Sequence, residues 1–213
     1  WDVIEVQAIE DLGGADLAVV VNPNNPDGAV YAPDDLLRVA GKVDRLVVDE
    51  SFMDATPDES LASHADREGL LVLRSFGKFY GLAGLRLGFV IGYGDDVAAL
   101  DAMAGPWSVS GVALAIGRAA LADDAWRDRT IERLIGEARH LDEMAVAAGW
   151  QRVGGTTLFR TFAVPDALGV QKSLARHQIW SRTFPYSTTW VRLGLPGSVA
   201  EWQRLADALR ERL

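Results

Sequence analysis

The chain has 213 residues, of which 49% are hydrophobic and 24% charged, enough for one large domain or two smaller ones with a substantial core. A net charge of -9, with no basic stretch interleaved with aromatic residues, argues against a nucleic-acid partner. The absence of cysteine excludes disulfides and thiolate metal sites and is consistent with the cytoplasm. The histidines lack the spacing of metal ligands, and no apolar run is long enough to cross a membrane. We therefore expect neither a metal site nor a membrane partner.

Short apolar segments alternate with short helical segments in the first half of the chain. A helix is predicted over 33–40, because Pro33 suits a first turn, two aspartates follow it and a glycine closes the segment. A second short helix is expected over 61–66. Apolar runs predict strands over 15–21, 45–49, 70–74 and 87–91. This alternation favours an α/β fold with a mostly parallel sheet and helices on both faces.

The pattern changes after about residue 105. Ser198 and Glu201 form a capping box, which predicts the start of a final helix. We predict part of a large domain over 1–124 and a small C-terminal α+β domain over 125–213. Since the chain begins at Trp1 and not at a methionine, we expect that the N-terminal part of the large domain is missing. Periodicity predicts helices over 109–121, 126–148 and 167–177, and strands over 150–153, 157–164 and 190–195.

Polar side chains follow or precede the strands of the predicted sheet. In open α/β sheets, ligands bind outside the carboxyl ends of the strands, so these residues are expected to converge. They supply an amide, a carboxylate, a hydroxyl, an amine and a guanidinium, which are the groups needed to hold pyridoxal phosphate. Taken singly, each also suits a structural role as a cap, a turn residue, a member of an ion pair or, for the lysine, a loop side chain that extends to water. The set consists of Asn25, Asp49, Ser75, Lys78 and Arg86.

Four sequence segments resemble the class I/II aminotransferase superfamily, the fold type I pyridoxal-phosphate enzymes. They are NPNNPDG over 22–28, VVDESF over 47–52, SFGKFYGLAGLRLG over 75–88 and WVRLGL over 190–195. The resemblance covers nearly the whole chain, and the segment over 75–88 is its most specific part. It implies the fold of the pyridoxal-phosphate transferases, pyridoxal 5'-phosphate as cofactor, and a homodimer.

The resemblance also implies roles for the strand-end residues. Lys78 would be the lysine that forms a Schiff base with the cofactor, and Asp49 would keep the pyridine nitrogen protonated. Asn25 would donate a hydrogen bond to the phenolic oxygen. Ser75 and Arg86 would bind the cofactor phosphate.

Two arginines are candidates for binding the substrate. Arg192 would hold the substrate carboxylate, to which a guanidinium fork is well suited. Arg160 is a candidate for binding a second anionic group of the substrate. The alternative is that Arg160 is an exposed strand arginine without a binding role. Two positions depart from the family pattern. Phe52 occupies a position where many relatives have a tyrosine, and Asp27 replaces the common threonine of the first segment.

The C-terminal sequence over 185–205 is similar to the branch of threonine-phosphate decarboxylases of cobalamin biosynthesis. This similarity implies a phosphorylated amino acid substrate and decarboxylation of O-phospho-L-threonine to (R)-1-amino-2-propanol O-phosphate. A histidinol-phosphate-type aminotransferase shares most of the same motifs and stays an alternative. A non-catalytic regulatory protein that uses the same fold is an alternative of another class.

Overall fold

The computed structural model describes residues 2–210, so Trp1, and with it the expectation about the start of the chain, lies outside the described residues. The chain divides into two compact units. The first contains the residues up to Asn24 together with Val30–Asp123. The second contains the short segment Asn25–Ala29 together with the residues from Asp124 onward. No helix in the described part of the chain is long and apolar enough to span a membrane.

The first unit is built on a four-stranded sheet with the strand order β1-β2-β3-β4. Its strands are β1 (Ala18–Val21), β2 (Leu46–Asp49), β3 (Leu70–Ser75) and β4 (Gly88–Gly92). The first three strands are parallel, whereas β4 runs antiparallel to β3. The predicted α/β class and the mostly parallel sheet are therefore confirmed. Because β4 is reversed, it starts at the edge of the sheet where β2 and β3 end.

Three α-helices accompany this sheet: α1 (Pro33–Ala40), α2 (Gly94–Ala104) and α3 (Gly111–Leu121). Helix α1 has the predicted bounds, and the helix expected over 61–66 is a shorter 3-10 turn, Leu61–His64. Helix α2 was not predicted, and none of its residues is buried, so its sequence carries no apolar stripe to reveal it. The core of this unit joins buried strand residues to α1 through Leu36, Val39, Leu46, Val48, Leu70 and Val72.

The second unit is an antiparallel sheet with the strand order β5-β6-β8-β7, accompanied by three helices. Its core joins residues of the helices to the central strands, among them Leu141, Leu174, Leu205, Phe162 and Val191. The elements in chain order are α4 (Asp124–Ala147), β5 (Gln151–Thr156), β6 (Phe159–Ala163), α5 (Ala167–Arg176), β7 (Arg182–Phe184), β8 (Ser187–Gly194) and α6 (Val199–Arg210).

The capping box at the start of α6 is present. The Glu201 carboxylate accepts hydrogen bonds from the backbone N–H groups of Gly197 at 2.7 Å and Ser198 at 2.9 Å. The Ser198 hydroxyl in turn accepts from the backbone N–H of Glu201 at 3.3 Å. The predicted start of the last helix is therefore confirmed. Strand β7, in contrast, was not predicted, because three residues are too few to show alternation.

Candidate active site

Asp49 is the last residue of β2, at the carboxyl edge of the first sheet. Its Oδ1 accepts hydrogen bonds from the backbone N–H of Ser51 at 2.9 Å and from the Ser51 hydroxyl at 2.6 Å. Both bonds fix the orientation of the carboxylate and use the same oxygen. Neither bond uses the other oxygen, Oδ2.

Ser75 is the last residue of β3, and Lys78 lies in the turn that follows. The Ser75 hydroxyl accepts a hydrogen bond from the backbone N–H of Gly77 at 3.1 Å, and the Lys78 carbonyl accepts from Gly81 at 3.0 Å. Lys78 is exposed, and its Nζ lies 5.6 Å from the centre of the Phe52 ring. An ammonium group is attracted to an aromatic face at this range. The ring therefore contributes to where the amine is held.

Arg86 lies two residues before Gly88, the first residue of β4. It has a left-handed backbone conformation, with φ of 54°, at the end of the 3-10 turn Ala83–Leu85. Left-handed residues other than glycine are uncommon and concentrate at functional sites. The side chain is exposed and its Nη1 donates to the Ala83 carbonyl at 3.1 Å. Since Ser75 pairs with Gly88 across the antiparallel strands, Arg86 lies at the same edge as Ser75.

The topology thus brings four of the predicted residues to one edge of the first sheet: Asp49, Ser75, Lys78 and Arg86. A carboxylate, a hydroxyl, an amine and a guanidinium fit the ring nitrogen, the aldehyde and the phosphate of the cofactor that the resemblance implies. Phe52 offers a ring but no hydroxyl, so it cannot donate a hydrogen bond to a phenolic oxygen.

Asn25 belongs to the second unit, although Asn24, directly before it, belongs to the first. Its side-chain oxygen accepts a hydrogen bond from Arg192 Nη1. The segment that carries Asn25 is fixed to the second sheet by two further hydrogen bonds. The buried Thr161 hydroxyl donates to the Pro26 carbonyl at 2.5 Å, and the backbone N–H of Gly155 donates to the Asp27 carbonyl at 2.7 Å.

Arg192 lies in the middle of β8 with its guanidinium 5.0 Å from the centre of the Phe159 ring. Its pKa is lowered from the ordinary arginine value, chiefly because burial removes water and also because Arg182 is close. Arg182 lies directly opposite Arg192 in the register of β7 and β8, so the two side chains share a face of the sheet. Like charges in this arrangement repel, and an anion between them would relieve the repulsion.

The sequence prediction missed Arg182. The signal that could have found it is the Pro185–Tyr186 pair, which marks a turn between two short extended segments. A hairpin at this turn brings an arginine on its first strand opposite one on its second strand.

Arg160 lies on β6, where Thr161 is paired with Arg192. Because neighbouring residues of a strand point to opposite faces, Arg160 and Arg192 are on opposite faces of the sheet. Arg160 Nε lies 3.2 Å from Asp142 Oδ1 of α4 without hydrogen-bond alignment, and its Nη1 donates to the Thr156 carbonyl at 2.8 Å.

The environment of this pair is partly buried. The Arg160 side chain is only 13% exposed, so the alternative of an exposed strand arginine is wrong. Burial lowers the pKa of Arg160 and raises that of Asp142, and their mutual attraction opposes both shifts. The structure therefore gives Arg160 an ion-pair partner and does not bring it together with Arg192.

The model of the aminotransferase class I and II family matches residues 4–209. This chain belongs to that family. The resemblance seen in the sequence motifs is therefore confirmed, and the chain is an aminotransferase class I/II family member with the fold expected from it.

Individual family members give a finer comparison. A threonine-phosphate decarboxylase from Pseudomonas aeruginosa is 42% identical over 202 residues, which cover 93% of this chain and 61% of that protein. Another from a Sinorhizobium species is 45% identical over 200 residues, covering 91% of this chain and 59% of that protein. The structure of histidinol-phosphate aminotransferase from Sinorhizobium meliloti in complex with pyridoxal-5'-phosphate has a TM-score of 0.83 at 23% identity, covering 92% of this chain and 57% of that one. This chain thus spans about three fifths of the length of the curated relatives that it matches.

Proposed function

We propose that this chain is part of a cytoplasmic, pyridoxal-phosphate-dependent threonine-phosphate decarboxylase. The reaction would convert O-phospho-L-threonine to (R)-1-amino-2-propanol O-phosphate and carbon dioxide, as a step in cobalamin biosynthesis. The observation that supports it most is the similarity, over nine tenths of this chain, to two proteins with that name. The geometry of the two units supports the same reaction.

The proposed cofactor residues are those at the edge of the first sheet. When bound, pyridoxal phosphate supplies an electron sink for the bond that breaks at the substrate Cα. Lys78 would bind it covalently through Nζ, and Asp49 Oδ2 would hold a proton on the ring nitrogen. Ser75 and Arg86 would bind its phosphate, and Asn25 would donate to its phenolic oxygen.

Lys78 also carries the proton chemistry of this proposal. Once displaced by the substrate amine, Lys78 Nζ would take up the proton that the substrate ammonium group gives up, and would become an ammonium. Loss of carbon dioxide would leave the bonding electron pair at Cα, which then requires one proton. The Lys78 ammonium would deliver that proton as a general acid and return to the neutral amine.

The paired arginines of the second unit support a substrate with two anionic groups. Arg192 would hold the carboxylate with its guanidinium fork, and Arg182, opposite it on β7, would meet the phosphate. Each anion would be costly to bury without a partner. Arg160 was the candidate for the second anionic group in the sequence analysis. Its ion pair with Asp142 argues against that role.

A histidinol-phosphate-type aminotransferase is the second candidate, because its substrate also carries a phosphate that Arg182 could bind. The two candidates are separated by one assay on the full-length protein. Release of carbon dioxide and the amine from O-phospho-L-threonine would support the decarboxylase. Transfer of the amino group from glutamate to imidazole acetol phosphate, without carbon dioxide release, would instead establish the aminotransferase.

We also propose that the full-length protein is a homodimer. Helix α3 supports a covering partner, because only Ala113 and Gly117 are buried while apolar side chains around them are exposed. Val112 is 67% exposed and Leu114 is 51% exposed. A helix that is apolar on all sides is normally covered. Sedimentation of the full-length protein tests this, and a monomer at all concentrations would contradict it.

A further inference from the structure

A buried group of charged side chains lies next to the proposed cofactor residues of the first unit. We call it the Arg74 cluster, and it consists of Glu50, Asp54, Ser60 and Arg74. Arg74 Nη1 donates to Glu50 Oε2 at 3.1 Å, and Nη2 donates to Asp54 Oδ1 at 2.7 Å. Glu50 is completely buried and also accepts from the Ser60 hydroxyl at 2.5 Å and the Leu61 backbone at 2.7 Å. One guanidinium therefore joins two acids from the same loop.

The cluster is adjacent in sequence to the proposed site on two neighbouring strands. Glu50 directly follows Asp49 at the end of β2, and Arg74 directly precedes Ser75 at the end of β3. Because successive strand residues point to opposite faces, Glu50 and Arg74 share one face while Asp49 and Ser75 share the other. The bond between Glu50 and Arg74 thus links the two strand ends from beneath the proposed site.

The loop between the two acids contains Phe52. Glu50 and Asp54 flank it two residues away on either side, and both are bound to Arg74. The Phe52 ring is the group that lies 5.6 Å from Lys78 Nζ. Arg74 therefore binds both ends of the loop that carries the Phe52 ring.

The cluster is a poor device for stability alone. Two carboxylates share one arginine, and Asp54 Oδ2 is buried with no hydrogen-bond partner. Burial raises the pKa of Asp54 despite the neighbouring guanidinium. Well-packed apolar residues often stabilise a protein as much as a buried ion pair or more. The hydrogen bonds from Arg74 to Glu50 and Asp54 have a fixed direction and length, which apolar packing does not provide.

We propose that Arg74 is a positioning residue, which sets Asp49 and Phe52 relative to Ser75 and Lys78 by binding Glu50 and Asp54 together. This inference rests on the proposed function, since it concerns where the cofactor groups are held. Arg74 itself would touch neither cofactor nor substrate. A displacement of about 1 Å from a change away from the reacting atoms can cost about a hundredfold in rate.

The test compares Arg74→Met, Arg74→Lys and Glu50→Gln in the full-length protein. The matched control is Arg45→Met, because Arg45 pairs with Asp96 at 3.0 Å in the same unit but is more than half exposed. The measurements are the dissociation constant of pyridoxal phosphate by absorbance titration and the fraction fixed on Lys78 by borohydride. Both are made well below the melting temperature of every variant, so that loss of global stability does not contribute.

We expect Arg74→Met and Glu50→Gln to raise the cofactor dissociation constant about tenfold or more and to shift the absorbance of the lysine-bound cofactor. Arg74→Lys should recover part of the affinity, because an ammonium can bind one acid but not both. The control should match the wild type. If kcat falls in Arg74→Lys, the KM for O-phospho-L-threonine should stay within about twofold, since Arg74 does not contact substrate.

Two results would overturn the inference and are distinguishable. If the Arg74 and Glu50 variants fold and keep the wild-type cofactor affinity and spectrum, the positioning role of Arg74 is wrong. The proposed function is not affected by that result. A wild-type protein that binds no cofactor overturns the proposed function, and this inference with it. If Arg74→Met does not fold, Arg74→Lys and Glu50→Gln provide the same comparison.

Discussion

Arg192 donates a hydrogen bond to the side-chain oxygen of Asn25, although 167 positions separate the two residues in the chain. One side chain is the proposed substrate carboxylate ligand, and the other is the proposed partner of the cofactor's phenolic oxygen. A carboxylate that binds Arg192 would compete for the donor that now faces Asn25. Substrate binding would therefore change the environment of the proposed cofactor residue Asn25 without any movement of the strand that carries Arg192.

Replacement of Arg192 by lysine is expected to lower kcat/KM by about a hundredfold, because an ammonium cannot form the two-pronged bond to a carboxylate. Steady-state kinetics with O-phospho-L-threonine measure this. The matched control is Arg204→Lys, an exposed arginine of α6, which should behave like the wild type. Equal activity of the two variants would remove Arg192 from the substrate site.

Reduction with borohydride in the presence of pyridoxal phosphate is expected to label Lys78. The chain has only two other lysines, Lys42 and Lys172, so peptide mapping gives a clear answer. The Lys78→Ala variant should take up no reducible cofactor, since among residues 2–210 no other lysine lies at the end of β3 or in the turn that follows it. A label on Lys42 or Lys172 in the wild type would show that the lysine is wrongly assigned.

The Arg160→Ala substitution is expected to destabilise the protein by about 2 kcal/mol, because it leaves the partly buried Asp142 carboxylate without its nearest partner. The KM for substrate should change by less than about twofold. Urea unfolding and steady-state kinetics separate these effects. Asp142→Asn should cost a similar free energy, and the double variant should cost less than the sum. A large rise in KM without loss of stability would restore Arg160 as a substrate residue.

A side chain at Gly154 is expected to displace the segment that carries Asn25. A Cβ atom there would lie 1.9 Å from the Asp27 carbonyl oxygen, far inside van der Waals contact. We expect Gly154→Ala to destabilise the protein by about 1–3 kcal/mol and to weaken substrate binding. Gly136→Ala is the control, since a Cβ on this α4 glycine meets open space and should stabilise by about 0.5–1 kcal/mol. Similar effects of the two substitutions would contradict the close contact between Gly154 and the Asp27 carbonyl.

The raised pKa of Asp54 predicts a pH dependence of stability. Burial is the main cause, and it favours the protonated form in the folded state. This group's contribution is fully present below the ordinary carboxyl pKa of 3.8 and declines as the pH rises through the higher folded pKa. Unfolding free energies across this range should fall less steeply in Asp54→Asn than in the wild type. The exposed neighbour Asp58→Asn is the control and should keep the wild-type slope.

Local signals were sufficient where an element is defined by its own residues. Helix α1 has its predicted bounds, because Pro33, two acids and a closing glycine act within the helix itself. The direction of β4 was not accessible in the same way, since an apolar strand reads alike in either direction. Helix α2 has no buried face, and so its sequence has no periodicity to detect.

The site shows the same division between local and distant causes. The motif residues at the ends of β2 and β3 could be found because each lies within two residues of the end of an apolar run. Arg182 was missed because the turn at Pro185–Tyr186 indicates a hairpin but not its register, and the register of β7 with β8 is what places Arg182 opposite Arg192. The Arg74 cluster was missed for a related reason, since Glu50 and Arg74 meet only when the two strands are side by side.

Because Asn25–Ala29 belongs to the second unit while the residues on both sides belong to the first, the second unit is discontinuous in sequence. No single cut in the backbone can release it whole. A fragment starting at Asp124 would lack the carbonyl groups that Thr161 and Gly155 bind, and would expose the surface that the segment covers. Limited proteolysis between the units should therefore yield pieces that remain associated, and neither unit is expected to refold from a contiguous fragment as well as it does from the intact chain.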